Sequence, residues 1–136
     1  MSLLTNWFNR GESSARLRPT RLAVIDLETS GLDTQRDTII SFGGVAIVDG
    51  EVRIDDGFEM VVKQEIVSAD ANIVIHGVMG QSQRNGVPLA DAMQAFETWR
   101  DCAPLVGWHI AFDMAFLNRA ATALRRAPPD RDSLCV

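Results

Sequence analysis

The apolar positions of the first half of the chain fall into strand-like runs. A short apolar run at residues 22–25 lies between polar residues, which is typical of a strand that is buried on both faces. Two further runs, over 38–48 and 51–62, are joined by Asp49-Gly50, the strongest short hairpin signal in the sequence. The alternation of the third run is broken at 55–57. This pattern predicts three consecutive antiparallel strands.

Helical repeats and strand-like runs alternate in the second half of the chain. Residues 88–103 begin with a proline and then repeat apolar side chains every three or four positions, which predicts an amphipathic helix. Its core stripe consists of Leu89, Ala92, Met93, Phe96 and Trp99. Residues 104–117 contain a short apolar strand that leads into a second helix over 111–124, and residues 132–136 begin another strand. The inward residues of the second helix are predicted to be Met114, Leu117, Ala121 and Leu124.

Two local features of this pattern leave alternatives open. Gly43-Gly44 inside a strand predicts a bulge or the close approach of another element. Phe112 and Phe116 face either the core or a substrate cleft, and the helical repeat does not separate these positions.

Residues 1–20 form a segment of different character. Leu3, Leu4, Trp7 and Phe8 have helical spacing, and a locally basic linker follows them. We interpret this segment as a short helix that packs on the domain or frays. The alternative is a docking segment for another domain or for a polymerase, because Trp7 and Phe8 are large apolar anchors.

Composition and charge narrow the class of protein. A chain of 136 residues with 46% hydrophobic content has the length of one domain and enough apolar residues for a core. The formal net charge of −5 argues against a protein that holds nucleic acid by a generally basic surface. It does not exclude an enzyme whose acidic site meets phosphate through metal ions.

The cysteines and the longest apolar runs of the sequence bear on the cellular location of the protein. Two cysteines, Cys102 and Cys135, make neither a disulfide framework nor a zinc site. The sequence contains neither an apolar run of about 18 residues nor a secretory signal pattern. We therefore expect a reduced, cytoplasmic setting without membrane contact.

Two carboxylates end the first strand. Positions two apart in a strand project from the same face, so Asp26 and Glu28 are predicted to lie side by side. Adjacent anions repel, and the usual compensation is a divalent cation such as Mg²⁺ or Mn²⁺. The alternative is a D-x-E pair on a solvated strand edge. A third acid, Asp113, lies between a strand and a helix, where its simplest role is a helix N-cap.

The motifs around these acids resemble those of the DEDD 3′→5′ exonucleases. D-L-E-T-S-G-L, starting at Asp26, matches the first motif of that family, and W-H-I-A-F-D-M-A-F-L, starting at Trp108, matches the second. Between them, I-H-G-V at 75–78 is similar to the H-G-I segment of the DnaQ-like proofreading group, in the DEDDh subclass. The resemblance implies a ribonuclease H-like α/β fold, with three antiparallel strands followed by parallel strands in a mixed sheet flanked by helices. The exonuclease domain would occupy residues 21–136, after the helix and linker of 1–20.

The resemblance also implies the residues of the site. Asp26, Glu28 and Asp113 would be catalytic and would hold two divalent cations, Mg²⁺ or Mn²⁺. The substrate, the 3′ end of a single strand with DNA expected rather than RNA, would contact six further residues: Thr29, Gly31, Leu32, His76, His109 and Phe112.

The family's third motif, which supplies a fourth acid and a histidine base, is not found after Asp113 in these 136 residues. We interpret the chain as an inactive fragment whose C-terminal part is missing. Two alternatives remain. One is a catalytically degenerate interaction or scaffold module with the same fold. The other is a phosphatase or metal hydrolase on an unrelated fold, in which the Phe112-Asp113 step has no special role.

Overall fold

A computed structural model describes residues 20–65, 80–129 and 133–136. Its strands are β1 (Arg21–Thr29), β2 (Ile39–Val48), β3 (Glu51–Val61), β4 (Leu105–Gly107) and β5 (Ser133–Cys135). Its helices are α1 (Gly80–Arg84), α2 (Leu89–Arg100) and α3 (Ile110–Ala123). The predicted N-terminal helix and His76 lie outside the described residues.

In the described part of the chain, the strands form one sheet in the order β3-β2-β1-β4-β5. β1, β2 and β3 are antiparallel neighbours, whereas β4 is parallel to β1 and β5 is parallel to β4. The predicted mixed sheet is therefore confirmed. β1 lies at its centre, between the hairpin and the parallel strands.

The turn between β2 and β3 has the conformation that its sequence predicts. Asp49 and Gly50 both have positive φ, at 53° and 87°, as a two-residue hairpin turn of this kind requires. The Asp49 carboxylate also accepts a hydrogen bond of 3.0 Å from the backbone N–H of Thr20. This turn sets the register between the two strands.

A bulge interrupts the pairing of β2 with β3 between Val45 and Ala46. It coincides with the break in alternation at 55–57. For Gly43-Gly44, close packing by another element is the alternative that the structure supports. A Cβ at Gly44 would lie 2.6 Å from Cη2 of Trp99, so the glycine lets the α2 indole rest on the sheet.

β1 is buried on one face. Ala23, Ile25 and Leu27 belong to the core cluster that α2 and α3 cover, whereas Leu22 and Val24 on the opposite face are only half-buried. The prediction of a strand buried on both faces is therefore wrong. An apolar run does not reveal what covers each face, because residues 22–25 are apolar on both sides.

The helices fit the predicted segments, and one polar residue is buried together with the predicted core residues. α2 buries Ala92, Met93 and Phe96, while Leu89 and Trp99 pack partly buried against the core, as its stripe predicts. In α3, the predicted inward residues Leu117 and Ala121 are buried, and Met114 packs partly buried against the core, as does the C-cap residue Leu124. The buried residues of α3 are Ile110, Asp113, Phe116, Leu117, Ala120 and Ala121. The hydrophobic pattern leaves Asp113 outside this set because its side chain is polar.

Two smaller observations complete the fold. Cys102 and Cys135 are both exposed free cysteines. None of the helices in the described ranges is long and apolar enough to cross a bilayer.

Candidate functional site

β1 carries two of the predicted acids at its carboxyl end. Asp26 pairs with Gly43 and Glu28 with Ser41 in the regular part of the β1–β2 ladder, so both carboxylates lie on the face opposite the helices. Asp26 is exposed and Glu28 is half-buried. A register shift follows immediately, between Glu28 and Thr29, where the strand ends.

The third acid comes from the first turn of α3. Asp113 is buried, with 4% of its surface exposed, and its Oδ1 accepts a hydrogen bond of 3.1 Å from the backbone N–H of Leu27. β4 ends at Gly107 and pairs with β1 only at Ala23 and Val24. The Leu27 N–H lies beyond this pairing, and the Asp113 carboxylate is its hydrogen-bond acceptor. This hydrogen bond therefore joins the start of α3 to β1 at Leu27, the residue between Asp26 and Glu28.

Asp113 is not the cap of its helix. α3 begins at Ile110, and its N-cap is His109, which makes no side-chain capping bond. The N-cap interpretation of Asp113 is therefore wrong, and its hydrogen bond to β1 is the role that the structure shows.

Three like charges make up the acidic site (Asp26, Glu28 and Asp113), and nearby His109 favours the charged form of Asp113 by lowering its pKa. In the described ranges, none of the ion pairs involves these three residues. Burial raises the pKa of Glu28, and the negative charge of Asp26 raises it further. Burial also raises the pKa of Asp113, to about 6, against the lowering effect of the Leu27 hydrogen bond and with a further increase from Asp26.

The donor set fits hard divalent cations in its chemistry. Carboxylate oxygens are the ligands that Mg²⁺ and Mn²⁺ prefer, and a cation would relieve the repulsion that raises these pKa values. Among the residues that the structure describes, no group of three His, Cys, Asp or Glu side chains is drawn together closely enough to hold a metal.

The segment after β1 forms a closed loop, here called the 30–38 loop. Its ends are tied by the Ser30 N–H to the Thr38 carbonyl at 2.9 Å, and by the Thr38 N–H to the Ser30 hydroxyl at 2.9 Å. The Thr29 hydroxyl donates a bond of 2.7 Å to the carbonyl of Gly31. At the outside of the loop, Leu32 is 86% exposed. The loop therefore presents an apolar side chain to solvent from an ordered backbone.

Asp37 occupies the centre of the 30–38 loop. Its carboxylate accepts hydrogen bonds from the Ser30 hydroxyl at 3.0 Å and from the Asp33 N–H at 2.8 Å. A Cβ at Gly31 would lie 2.7 Å from the Asp37 Cγ, so the glycine makes room for this carboxylate. The guanidinium of Arg119, on α3, donates a hydrogen bond to the Asp37 carbonyl. The helix that carries Asp113 is thus tied to the loop that presents Leu32.

Sequence reasoning missed both Asp37 and Arg119. A signal existed for Asp37, because a short polar side chain after a Gly-containing turn is a common acceptor for backbone N–H groups. Arg119 gave no comparable signal, since its bond joins residues 82 positions apart.

The other predicted substrate residues lie on β4–α3 or outside the described ranges. His109 is exposed and has left-handed backbone angles (φ 53°, ψ 39°) at the start of α3. Phe112 is half-buried, with its ring centroid 5.0 Å from that of Phe116, which is 1% exposed. Phe116 is therefore a core residue, while Phe112 keeps part of its surface accessible.

Comparison with known proteins adds three findings. The exonuclease family, of RNase T type, matches residues 23–136. The chain is 32% identical over 108 residues to the PolC-type DNA polymerase III of Oceanobacillus iheyensis, and 32% identical over 97 residues to that of Bacillus subtilis. These matches cover 79% and 71% of the chain, which spans only 7% of the length of either relative.

The fold is similar to that of solved exonuclease structures. E. coli exonuclease I in complex with a 5cy-dT13 oligonucleotide aligns with a TM-score of 0.73 at 14% identity, over 87% of this chain and 28% of that one. A structure of exonuclease I with the inhibitor BCBP gives the same values. At this identity the likeness concerns the fold alone. It confirms the ribonuclease H-like fold and removes the hypothesis of a metal hydrolase on an unrelated fold.

Proposed function

The chain belongs to the DEDD exonuclease family, and on that basis we propose that it acts in 3′→5′ hydrolysis of single-stranded nucleic acid, releasing nucleoside monophosphates. DNA is the proposed substrate. Two observations favour it: the relatives in sequence are DNA polymerases, and a solved structure of similar fold holds a dT13 oligonucleotide.

The observation that carries the proposal is the hydrogen bond between Asp113 and the backbone of Leu27. Leu27 lies between Asp26 and Glu28, so this bond brings acids from two segments, 86 residues apart, to one end of a central strand. A buried carboxylate raised to a pKa of about 6 lowers the stability of a fold at neutral pH. Such a cost is typical of groups that are positioned for chemistry.

Two divalent cations, Mg²⁺ or Mn²⁺, would be held by the carboxylates of the acidic site, Asp26, Glu28 and Asp113. When bound, such ions stabilise the charge that develops on the attacking and leaving oxygens of the phosphodiester. The carboxylates set where the scissile phosphate is received, because they are fixed to β1 and α3.

The 30–38 loop and the start of α3 would position the terminal nucleotide. Leu32 offers an exposed apolar surface to a base, and the backbone around Thr29 and Gly31 offers polar groups to the sugar. His109 and Phe112 would contact the same nucleotide from α3, as would His76 by family resemblance.

The family's histidine base and fourth acid are not among these 136 residues. We therefore propose that residues 1–136 by themselves show little or no turnover. Because Trp7 and Phe8 are large apolar anchors and the relatives in sequence are DNA polymerases, we also propose that residues 1–20 contact a polymerase or another domain. We propose a cytoplasmic location for this protein.

Isothermal titration with Mn²⁺ tests the acidic site without requiring turnover. The wild-type chain should bind Mn²⁺ with micromolar to millimolar affinity, and Glu28→Ala should lose that binding. Glu51→Ala is the matched control, because it removes one exposed carboxylate from the far end of the hairpin and leaves the net charge equal to that of the test variant.

The outcomes separate the two functional hypotheses. Loss of binding in Glu28→Ala alone supports the nuclease site. Absence of Mn²⁺ binding in the wild type would contradict it and leave the scaffold module as the better description. Equal binding by Glu28→Ala and Glu51→Ala would remove Glu28 from the site.

A further inference from the structure

We propose that Trp108 is a stacking surface for a base of the single strand, beside the acidic site. This inference rests on the proposed function, since it takes nucleic acid to be the ligand. Its side chain is 81% exposed. Tryptophan ordinarily buries most of its surface or finds a partner for its indole N–H, so this exposure needs an explanation.

The sheet places Trp108 at the edge where the acids lie. β4 is parallel to β1, with Val106 opposite Val24. Asp26 follows Val24 by two residues, and Trp108 follows Val106 by two residues. The carboxyl ends of both strands therefore meet at one edge of the sheet, which is where open α/β sheets bind their ligands.

The backbone on both sides of Trp108 is fixed. A Cβ at Gly107 would lie 2.8 Å from Ile110 Cδ1 and 3.0 Å from the Ile25 carbonyl, so the chain passes close to β1 and α3 at that point. His109, on the other side, is the left-handed N-cap of α3, and its carbonyl accepts a hydrogen bond of 2.9 Å from Phe112. The indole is thus exposed from an ordered turn, which reduces the entropy lost when it binds.

A second exposed apolar residue lies at the same edge. Leu32, 86% exposed, follows the carboxyl end of β1 just as Trp108 follows that of β4. Each strand that leads into the acidic site is therefore followed by an exposed apolar side chain. Two bases of one strand, or two faces of one base, have the shape and chemistry to use such a pair.

Charge explains why stacking is needed. The chain has a formal net charge of −5, so counterion release from a basic surface contributes little to binding. Stacking of a base on an aromatic side chain is worth about 1–3 kcal/mol, and every base offers a π-face. The Trp108 contribution should therefore be tolerant of sequence and insensitive to salt.

The test is binding of a 5′-labelled, phosphorothioate-linked oligothymidylate, followed by fluorescence anisotropy in the presence of Mn²⁺. Trp108→Leu should weaken binding about tenfold, as expected for one lost stacking contact, while Trp108→Phe should keep most of the affinity. Ile54→Ala is the control, since Ile54 is 87% exposed but lies on the edge strand β3. It should bind as the wild type does.

A second series identifies the partner of the indole as a base. An oligonucleotide with abasic sites at its last two positions should bind the wild type and Trp108→Leu equally. The salt dependence of the dissociation constant should be the same in both proteins, because no charge is removed.

The results distinguish failure of this inference from failure of the proposed function. If the wild type does not bind the oligonucleotide, nucleic acid is the wrong ligand and both proposals fail. If it binds and Trp108→Leu binds equally well, the proposed function stands and the stacking surface is refuted, leaving contact with another polypeptide as the use of the exposed indole. An affinity difference that persists with the abasic oligonucleotide would also refute stacking.

Discussion

The carboxylates near the two ends of β1 have opposite environments, and their pKa values shift in opposite directions. At the amino end, the Arg21 guanidinium bonds both oxygens of Asp56, at 2.5 and 3.3 Å, and the Trp99 indole N–H donates to the same carboxylate at 3.0 Å. These bonds hold the pKa of Asp56 below its usual value, and the bond from Arg21 has the largest effect. At the carboxyl end, burial raises the pKa values of Glu28 and Asp113, and no described ion pair relieves them.

We interpret the Arg21 end as the one that serves the fold, whereas the acidic end is the one that we propose binds a ligand. The Arg21 end is compensated within the chain, and it fixes the β3 bulge to the end of α2. The acidic end keeps charges that destabilise the folded chain, which is the usual trade-off between stability and activity. If the comparison is correct, substitutions at the two ends should change stability with opposite signs.

The largest effect is expected at the compensated end. Trp99→Ala should lower the free energy of unfolding by about 3 kcal/mol, because it empties the space over Gly44 and removes a donor to Asp56. Urea unfolding followed by far-ultraviolet circular dichroism measures this change. Trp108→Ala is the matched control and should cost under about 0.5 kcal/mol, since its indole is exposed. Equal losses for the two tryptophans would contradict the assignment.

A gain in stability is expected at the acidic end. Asp113→Asn keeps an oxygen for the Leu27 N–H and removes the buried charge. The folded chain holds the Asp113 proton up to about pH 6, whereas the unfolded chain releases it near the ordinary value of 3.8. Wild-type stability therefore falls as the pH rises through this window.

The same denaturation assay measures this gain at two pH values. Asp113→Asn should be about 1–2 kcal/mol more stable than the wild type at pH 7.5, and the gain should shrink at pH 4.5, where the wild-type carboxyl is protonated. Glu51→Gln, which removes an exposed carboxylate from β3, should show no such pH-dependent gain. A variant that is less stable than the wild type at pH 7.5 would show that Asp113 stabilises the fold.

The smallest effect is the coupling between Arg21 and Asp56. A double-mutant cycle of Arg21→Met and Asp56→Asn should give a coupling free energy of about 1 kcal/mol. Partial solvent access to both side chains limits this coupling. Because the pKa of Asp56 is lowered, this coupling is present above the ordinary value of 3.8 and is lost as the pH falls below it. The more exposed Arg53–Asp55 pair on β3 should show no measurable coupling. If the coupling between Arg21 and Asp56 is no larger than that of the exposed pair, Arg21 does not compensate the charge of Asp56.

The fold was predictable where the physical cause was local. Asp49-Gly50 has the positive φ angles that set a two-residue hairpin, and the period of a strand puts Asp26 and Glu28 on one face. The helical repeat of α2 is likewise a property of neighbouring residues. The parallel strands and the site residues depended on resemblance to a known family.

What sequence reasoning missed depends on contacts between distant segments. The Arg21–Asp56–Trp99 cluster joins three elements, and the inward turn of Asp113 follows from a backbone donor on β1. The half-exposed side of β1 likewise reflects what packs on it. No periodicity within one segment contains this information.

The contact between Gly31 and Asp37 makes these two positions vary as a pair. A side chain at residue 31 would occupy the space of the Asp37 carboxylate, so an enlargement at one position requires a shortening at the other. Among natural relatives, we expect covariation between them. In protein engineering, a graft of this loop onto another scaffold must transfer both residues together, or the transplanted segment loses the acceptor that organises it.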